Sequence, residues 1–218
     1  MESYLHSIYF YKDKNGKELV LDYLKELSKR KDKDSWIKAN KINDYIEILK
    51  QYGTQAGEPY LKHLDGEIWE LRPLRDRILF VAWHNGSYVL LHTLYEKNLE
   101  NSKKRNRESK AGAYGFDRKG ELIMNENSAI GSSWDEVRAD LFTSEEIAES
   151  NLRVALIGEL IKARQEKGIS QKKLEELSGV KQPIIARMEK GTTNPQIDTI
   201  LKVLVPLGKT LAVVPLEK

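Results

Sequence analysis

The chain has 218 residues, with 36 Lys+Arg against 33 Asp+Glu, 4 His and no Cys. That length accommodates two domains of roughly 100–150 residues, and the lack of cysteine excludes disulfide scaffolds, thiolate metal sites and Cys nucleophiles. The longest apolar run, Ile78 to Trp83, falls far short of the ~20 residues that cross a bilayer, and Met1–His6 has no signal-peptide pattern, so no membrane partner and a cytoplasmic location are expected.

Ile8, Tyr9 and Phe10 form a β-prone run closed by the turn signal Asp13-Lys14-Asn15-Gly16. Val20, Leu21, Leu24 and Leu27 have helical spacing. The charged stretch Lys29–Asp34 breaks that helix, and Trp36 to Leu49 marks a second one ending near Gly53. The period then changes. Residues 68–72, 77–84 and 88–95 read as three strands, the last two joined through Asn85-Gly86, a strong hairpin signal. The expected fold is α+β: two helices on an antiparallel sheet, with Ile8–Tyr11 as a further strand.

On the strand Ile68–Arg72, alternation puts Ile68, Glu70 and Arg72 on one face and Trp69 and Leu71 on the other. Trp69 and Leu71 are expected to bury, leaving Glu70 and Arg72 toward solvent. Arg75 and Arg77 follow, Lys62 and His63 precede, and His92 lies on the last strand. The histidines at 6, 63, 84 and 92 lack metal-ligand spacing, so neither metal nor cofactor is expected. Such a face suits metal-free phosphodiester chemistry: guanidinium forks hold phosphate and a Glu or His takes a ribose 2′-hydroxyl proton. The same pattern also describes ordinary cross-strand salt bridges.

The stretch Lys62-His63-Leu64-Asp65-Gly66-Glu67-Ile68-Trp69-Glu70-Leu71-Arg72, followed by Arg75-Asp76-Arg77-Ile78 and Leu90-Leu91-His92, resembles the HigB/RelE-type toxin family over roughly residues 5–97. The resemblance implies a RelE-like fold and a metal-free endoribonuclease that cuts mRNA on the ribosome. It implies Arg72 and Arg77 on the scissile phosphate and Lys97 as a basic residue after the last strand; Lys62 and Arg75, of the same charged stretch, are candidate RNA contacts. Glu70 stands where some members carry Lys, so both Glu70 and His92 are candidates for the general base.

Residues 99–123 hold 7 basic and 4 acidic residues, without apolar periodicity, and read as a basic linker between a domain at 1–98 and another at 124–218. The resemblance leads one to expect a basic amphipathic helix here. Reverse translation of Asn101–Arg118 with common codons, shifted by one base, yields TPKREIEKAKRELMDLTE, which is such a helix. A frameshift that fused two adjacent reading frames is the expectation, with Met124 as the former start of the second.

Ser133-Trp134-Asp135-Glu136 is a capping box, with an apolar stripe through Trp134, Val137, Leu141 and Phe142. Thr143–Glu146 opens a further helix that Gly168 stops. Ser170 then caps a short helix, Ser178-Gly179 turns, and Lys181 to Gly191 carries another short helix with Pro183 in its first turn. With a final core helix from Ile197 to Leu204, this is an all-α helix-turn-helix domain. Residues 130–216 resemble the HigA-type antitoxins, with an Xre/Cro-like helix-turn-helix. The resemblance implies that Gln171 and Lys172 meet phosphates, and that Lys181, Gln182 and Arg187 belong to a recognition helix in the major groove, where Gln suits adenine and Arg suits guanine. Pro183 replaces a small polar residue common at that place, which removes one base contact. Thr210–Pro215 is β-prone and is either an edge strand pairing across a homodimer or a tail cap. Together the resemblances imply a fused toxin–antitoxin protein with mRNA on the ribosome, operator DNA and its own two halves as partners. The alternative is a repressor carrying an inactive toxin remnant.

Overall fold

The computed structural model describes residues 5–95 and 129–214. Lys97, the linker at 99–123, Met124 and Pro215 lie outside them. The chain forms two compact units, residues 1–150 and 151–218.

The first unit contains β1 (Ile8–Tyr11), α1 (Leu19–Lys29), α2 (Lys33–Tyr52), β2 (Leu61–Asp65), β3 (Ile68–Leu71), β4 (Asp76–Trp83), β5 (Ser87–Tyr95), β6 (Ile130–Ser133) and α3 (Trp134–Leu141). The helix break at Lys29–Asp34 has a local cause: Asp32 caps α2 by accepting from the Ser35 N–H at 2.8 Å, which fixes a new start where the charged run weakens the old helix. Asn85 and Gly86 both take positive φ, 55° and 71°, as the tight β4–β5 connection requires.

The sheet order is β2-β3-β4-β5-β1-β6, and it is mixed, not antiparallel as the meander suggests. The pair β1–β5 is parallel, with Ile8 opposite Tyr88 and Phe10 opposite Leu90. The helical crossover α1–α2 returns the chain to the meander in a sense that an antiparallel pairing would not allow. Two strands are absent from the sequence reading. One is β2, which carries Lys62 and His63. The other is β6, which pairs antiparallel with β1 through Tyr9–Ser133 and Tyr11–Ile130.

Alternation sorts the sheet into two faces. Ile8, Phe10, Phe80, Tyr88 and Leu90 are buried on the helical side: Tyr88 Oη accepts from the Thr54 N–H just after α2, and Phe10 meets Trp134 of α3 at 6.3 Å between rings. Leu79, Val81, Val89 and Leu91 form a second cluster on the other face, joined by Tyr9, Tyr11, Ile68, Trp83, Leu94 and Ile130.

The helix α4 (Ser144–Glu166) contributes residues 144–150 to the first unit and the rest to the second. The second unit continues with α5 (Gln171–Ser178), α6 (Gln182–Glu189), α7 (Ile197–Leu204) and a 3-10 turn at Val205–Leu207. Its core is Leu160, Ala163, Leu174, Val180, Ile185, Met188, Val203, Leu204 and Leu207. Gly179 takes φ 72°, ψ 0° between α5 and α6, a left-handed turn at low cost only for glycine. Thr210–Val214 form no strand within the single chain; a strand there that pairs across a homodimer needs a second copy to complete its ladder.

The spatial division differs from the sequence division. Residues 130–150, grouped by sequence with the helix-turn-helix segment, pack in the sheet unit.

Candidate nucleic-acid sites and the strap on the sheet unit

Register gathers the sequence candidates on the face of the sheet away from the helices. Lys62 lies opposite Glu70, Glu70 opposite Leu79 and Leu79 opposite His92. One row across four strands therefore carries Lys62, Glu70 and His92 on one face. The next row carries Arg77, opposite Leu94, and continuation of the β3–β4 register puts Arg72 beside it.

Glu70 is the hub. Its Oε1 lies 3.3 Å from Arg72 Nε and 3.5 Å from Arg77 Nε. Contrary to the sequence expectation, Glu70 is buried, because two guanidinium groups and the apolar cluster of this face close around it. Arg77 is also buried, and its Nη1 donates to the carbonyls of Asp76 and Leu74 at 2.7 and 3.0 Å. Arg72 keeps about a third of its side chain exposed, 32%. Lys62 and Arg75 are exposed, and His92 is half-buried. Lys97 lies outside the described residues.

Sequence reasoning missed the groups behind this cluster. Asp76 is buried; Tyr23 Oη donates to its Oδ1 at 3.1 Å, and Lys38 Nζ lies 3.6 Å from Oδ2. Burial raises the Asp76 carboxyl above its ordinary value, against the pull of Lys38, Tyr23 and Arg77. Burial also pushes the Tyr45 phenol up to about 12, with Asp44 adding to it and Arg72 and Arg77 opposing. Tyr45 therefore stays a neutral neighbour of the two arginines throughout the physiological range.

The segment 129–150 straps across the far edge of the sheet unit, beyond β1. The capping box is formed: Ser133 Oγ accepts from the Glu136 N–H, and Glu136 Oε2 accepts from the Ser133 N–H. That seats Trp134 at the first helical position, fully buried, with its indole N–H donating to Glu47 Oε1 at 2.7 Å. Arg138, one turn on, reaches the same oxygen at 3.0 Å and donates to Asn43 Oδ1 at 2.9 Å. Ser132 donates from N–H and Oγ to the Glu18 carboxylate, and a side chain at Gly131 would collide with that carboxylate. Glu146 accepts from the Trp36 indole, from Asn40 Nδ2 and from the Thr143 N–H. Burial pushes the Glu146 carboxyl up, but these hydrogen bonds outweigh it and hold it below its ordinary value.

In the second unit Ser170 caps α5 by accepting from the Lys173 N–H. Gln182 Nε2 donates to Gln171 Oε1 and Gln171 Nε2 to Glu189 Oε2, each at 2.7 Å. Arg164 grips the buried Glu189 from the other side with Nε and Nη2 at 2.6 and 3.0 Å. Gln171 and Gln182 are thus oriented by internal bonds at the lip of α5 and α6. Lys172 and Lys181 are exposed and flank Glu175 at 3.0 and 3.5 Å. Arg187 is exposed, with Nε donating to the Pro183 carbonyl at 3.2 Å.

Among the described residues no cluster of His, Asp and Glu could hold a metal ion, and no helix is long and apolar enough to cross a membrane. The class defined by the fold is a mixed-sheet domain followed in sequence by a helix-turn-helix module. Comparison with known families agrees: the family described as Phage derived protein Gp49-like (DUF891) matches residues 22–113, and the family described as Helix-turn-helix matches residues 160–214. An uncharacterized HTH-type transcriptional regulator of Haemophilus influenzae is 67% identical over 94 residues, 43% of this chain and 96% of that protein. A solved toxin–antitoxin module from Streptococcus pneumoniae is 72% identical over a match covering 40% of this chain and 97% of that one, with a TM-score of 0.37. Through the match to almost the whole of the Haemophilus protein, the chain belongs to the HTH-type transcriptional regulators.

Proposed function

We propose that this chain is a toxin and its antitoxin in one polypeptide, of the HigB and HigA kinds. The sheet domain is a ribosome-dependent mRNA endoribonuclease. The helix-turn-helix unit binds operator DNA and represses its own transcription, and the strap at 129–150 keeps the nuclease silent in the cytoplasm. The observation that carries this reading is the strap itself. A segment from the regulator side of the sequence supplies the sixth strand and a fully buried tryptophan to a Gp49-like sheet unit, which is how an inhibitor engages its target. Tethering raises its effective concentration to ~mM.

In the nuclease reaction Arg72 and Arg77 hold the scissile phosphate and the charge of its pentacoordinate transition state. Glu70 or His92 takes the 2′-hydroxyl proton, and Lys97, by the family resemblance, adds positive charge after the last strand. Lys62 and Arg75 bind the flanking RNA backbone. On the DNA side Gln171 and Lys172 meet phosphates, while Lys181, Gln182 and Arg187 read the major groove. A homodimer of the regulator unit matches a palindromic operator with half-sites ~34–36 Å apart.

A second reading has its own support. Arg77 is buried and bonded to backbone carbonyls, as a purely structural arginine would be, and this favours a repressor with an inactive toxin remnant. Expression of residues 1–98 alone decides between them. Growth arrest with cleavage of ribosome-bound mRNA, both abolished by Arg72→Ala, supports the nuclease; unimpaired growth at confirmed expression of folded protein supports the remnant.

A further inference from the structure

The β4–β5 turn carries a pocket that lies outside the phosphate cluster and that the strap borders only through Ile130. It is walled by Tyr9, Trp83, His84, Asn85, Ser87 and Ile130. The rings of Trp83 and His84 lie 4.6 Å apart at 60°, Trp83 half-buried and His84 and Asn85 exposed.

The turn is braced from behind. His6 Nδ1 bonds the Gly86 carbonyl at 2.5 Å, Ser87 Oγ donates to the His84 carbonyl at 2.6 Å, and the Tyr88 N–H donates to the Ser7 carbonyl at 2.9 Å. An aromatic wall with an amide on its rim and no carboxylate among its described lining residues suits a flat, polar-edged, electron-rich ring.

Its position selects the ligand. Trp83 packs in the same apolar cluster as Leu79 and Val81, so it shares with Arg77 the sheet face away from the helices. Six residues of β4 separate the two, about 20 Å at ~3.3 Å per residue. That distance is several steps of a single strand stacked at ~3.4 Å per step.

We propose that this pocket is a stacking subsite for an unpaired RNA base, several nucleotides from a phosphate held at Arg72 and Arg77. The inference rests on the nuclease reading above and extends it from the reacting phosphate to a remote base. The base stacks on Trp83 and His84, and the Asn85 amide faces its edge.

The test uses the full chain and a short single-stranded RNA of mixed sequence carrying fluorescein and one 4-thiouridine. Cross-linking followed by peptide mapping is expected to mark Trp83, His84 or Tyr9. The double variant His84→Ala/Asn85→Gly, which changes only exposed positions and suits the positive φ at residue 85, is expected to lose that cross-link. It is also expected to weaken binding by roughly 10-fold, as loss of one stacked base does. Cross-links mapping only elsewhere, or unchanged affinity in the double variant, overturn the subsite. If Arg72→Ala weakens binding while the turn variant does not, the nuclease reading stands without the subsite. If the wild-type chain captures no RNA, the subsite falls, while the nuclease reading, which places cleavage on the ribosome, is decided by the expression test above.

Discussion

Trp134 and Glu47, 87 residues apart in sequence, are joined by an indole N–H that donates to the carboxylate at 2.7 Å, inside the sheet unit. The bond makes the strap part of the core rather than a surface attachment. Trp134→Ala removes the largest fully buried side chain and leaves Glu47 short of a donor. Loss of a buried Trp costs about 3–5 kcal/mol, and Trp134 and Phe142 are the strap's buried apolar residues. The variant is expected to lower the unfolding free energy of the first unit, read from denaturant titration, by that amount. It is also expected to expose residues 129–142 to protease while α1 and α2 stay protected.

The second prediction concerns pH. The Glu146 carboxyl is held below its ordinary value in the folded protein. A depressed folded pKa means that the unfolded state binds the proton more readily. The stabilisation from Glu146 is therefore complete above the unfolded carboxylate pKa of ~4.3 and is lost as pH falls through the lower folded value. Stability of the wild type and Glu146→Gln should run parallel near neutrality and converge on acidification below about pH 4. A constant offset across that window would mean that the carboxylate charge contributes nothing to strap docking.

Where sequence and structure agree, the cause is local. The capping box at Ser133 and Glu136, the Asp32 break and the positive-φ turns at Asn85-Gly86 and Gly179 depend on a few adjacent residues and were legible from spacing. The strand β6 was not: Ile130-Gly131-Ser132-Ser133 has no β pattern of its own, and its ladder partner β1 is more than a hundred residues away. The burial of polar residues on the second helix was not legible for the same reason. Asn40, Asn43, Asp44 and Glu47 lie between its apolar positions, yet all are buried, because the sheet packs on one side of α2 and the strap supplies donors to Asn43 and Glu47 on the other. Glu70 looked exposed because alternation gives a face but not what lies over it. The identities of the site candidates came from motif resemblance, while the grouping of Lys62, Glu70 and His92 into one row required the register.

The buried pair Arg164–Glu189 offers a third test, confined to the second unit. Glu189 accepts from Arg164 and from Gln171, which in turn accepts from Gln182. Arg164→Met strands a buried carboxylate, a loss of about 3–5 kcal/mol for breaking such a pair from one side. The double variant Arg164→Met/Glu189→Leu removes both charges and is expected to recover most of that stability. It is not expected to recover DNA affinity, because Gln171 and Gln182 lose the anchor that orients them. Thermal melting and a gel shift on the same two proteins separate these effects.

The last prediction separates reading of sequence from attraction to phosphate. Arg187 is exposed on α6 and its guanidinium is bonded only to the Pro183 carbonyl among the contacts described, so Arg187→Ala should leave the fold intact. If its guanidinium forks onto a guanine, the variant loses about 1–3 kcal/mol for the upstream operator and discriminates less well at that base pair. Its salt dependence should change little. Lys172→Ala, by contrast, should weaken binding to all duplexes alike and reduce the slope of log affinity against log salt by about one. Titration of operator and scrambled duplex at several salt concentrations reads both quantities. Equal affinity of Arg187→Ala and wild type for the operator would remove Arg187 from the recognition surface.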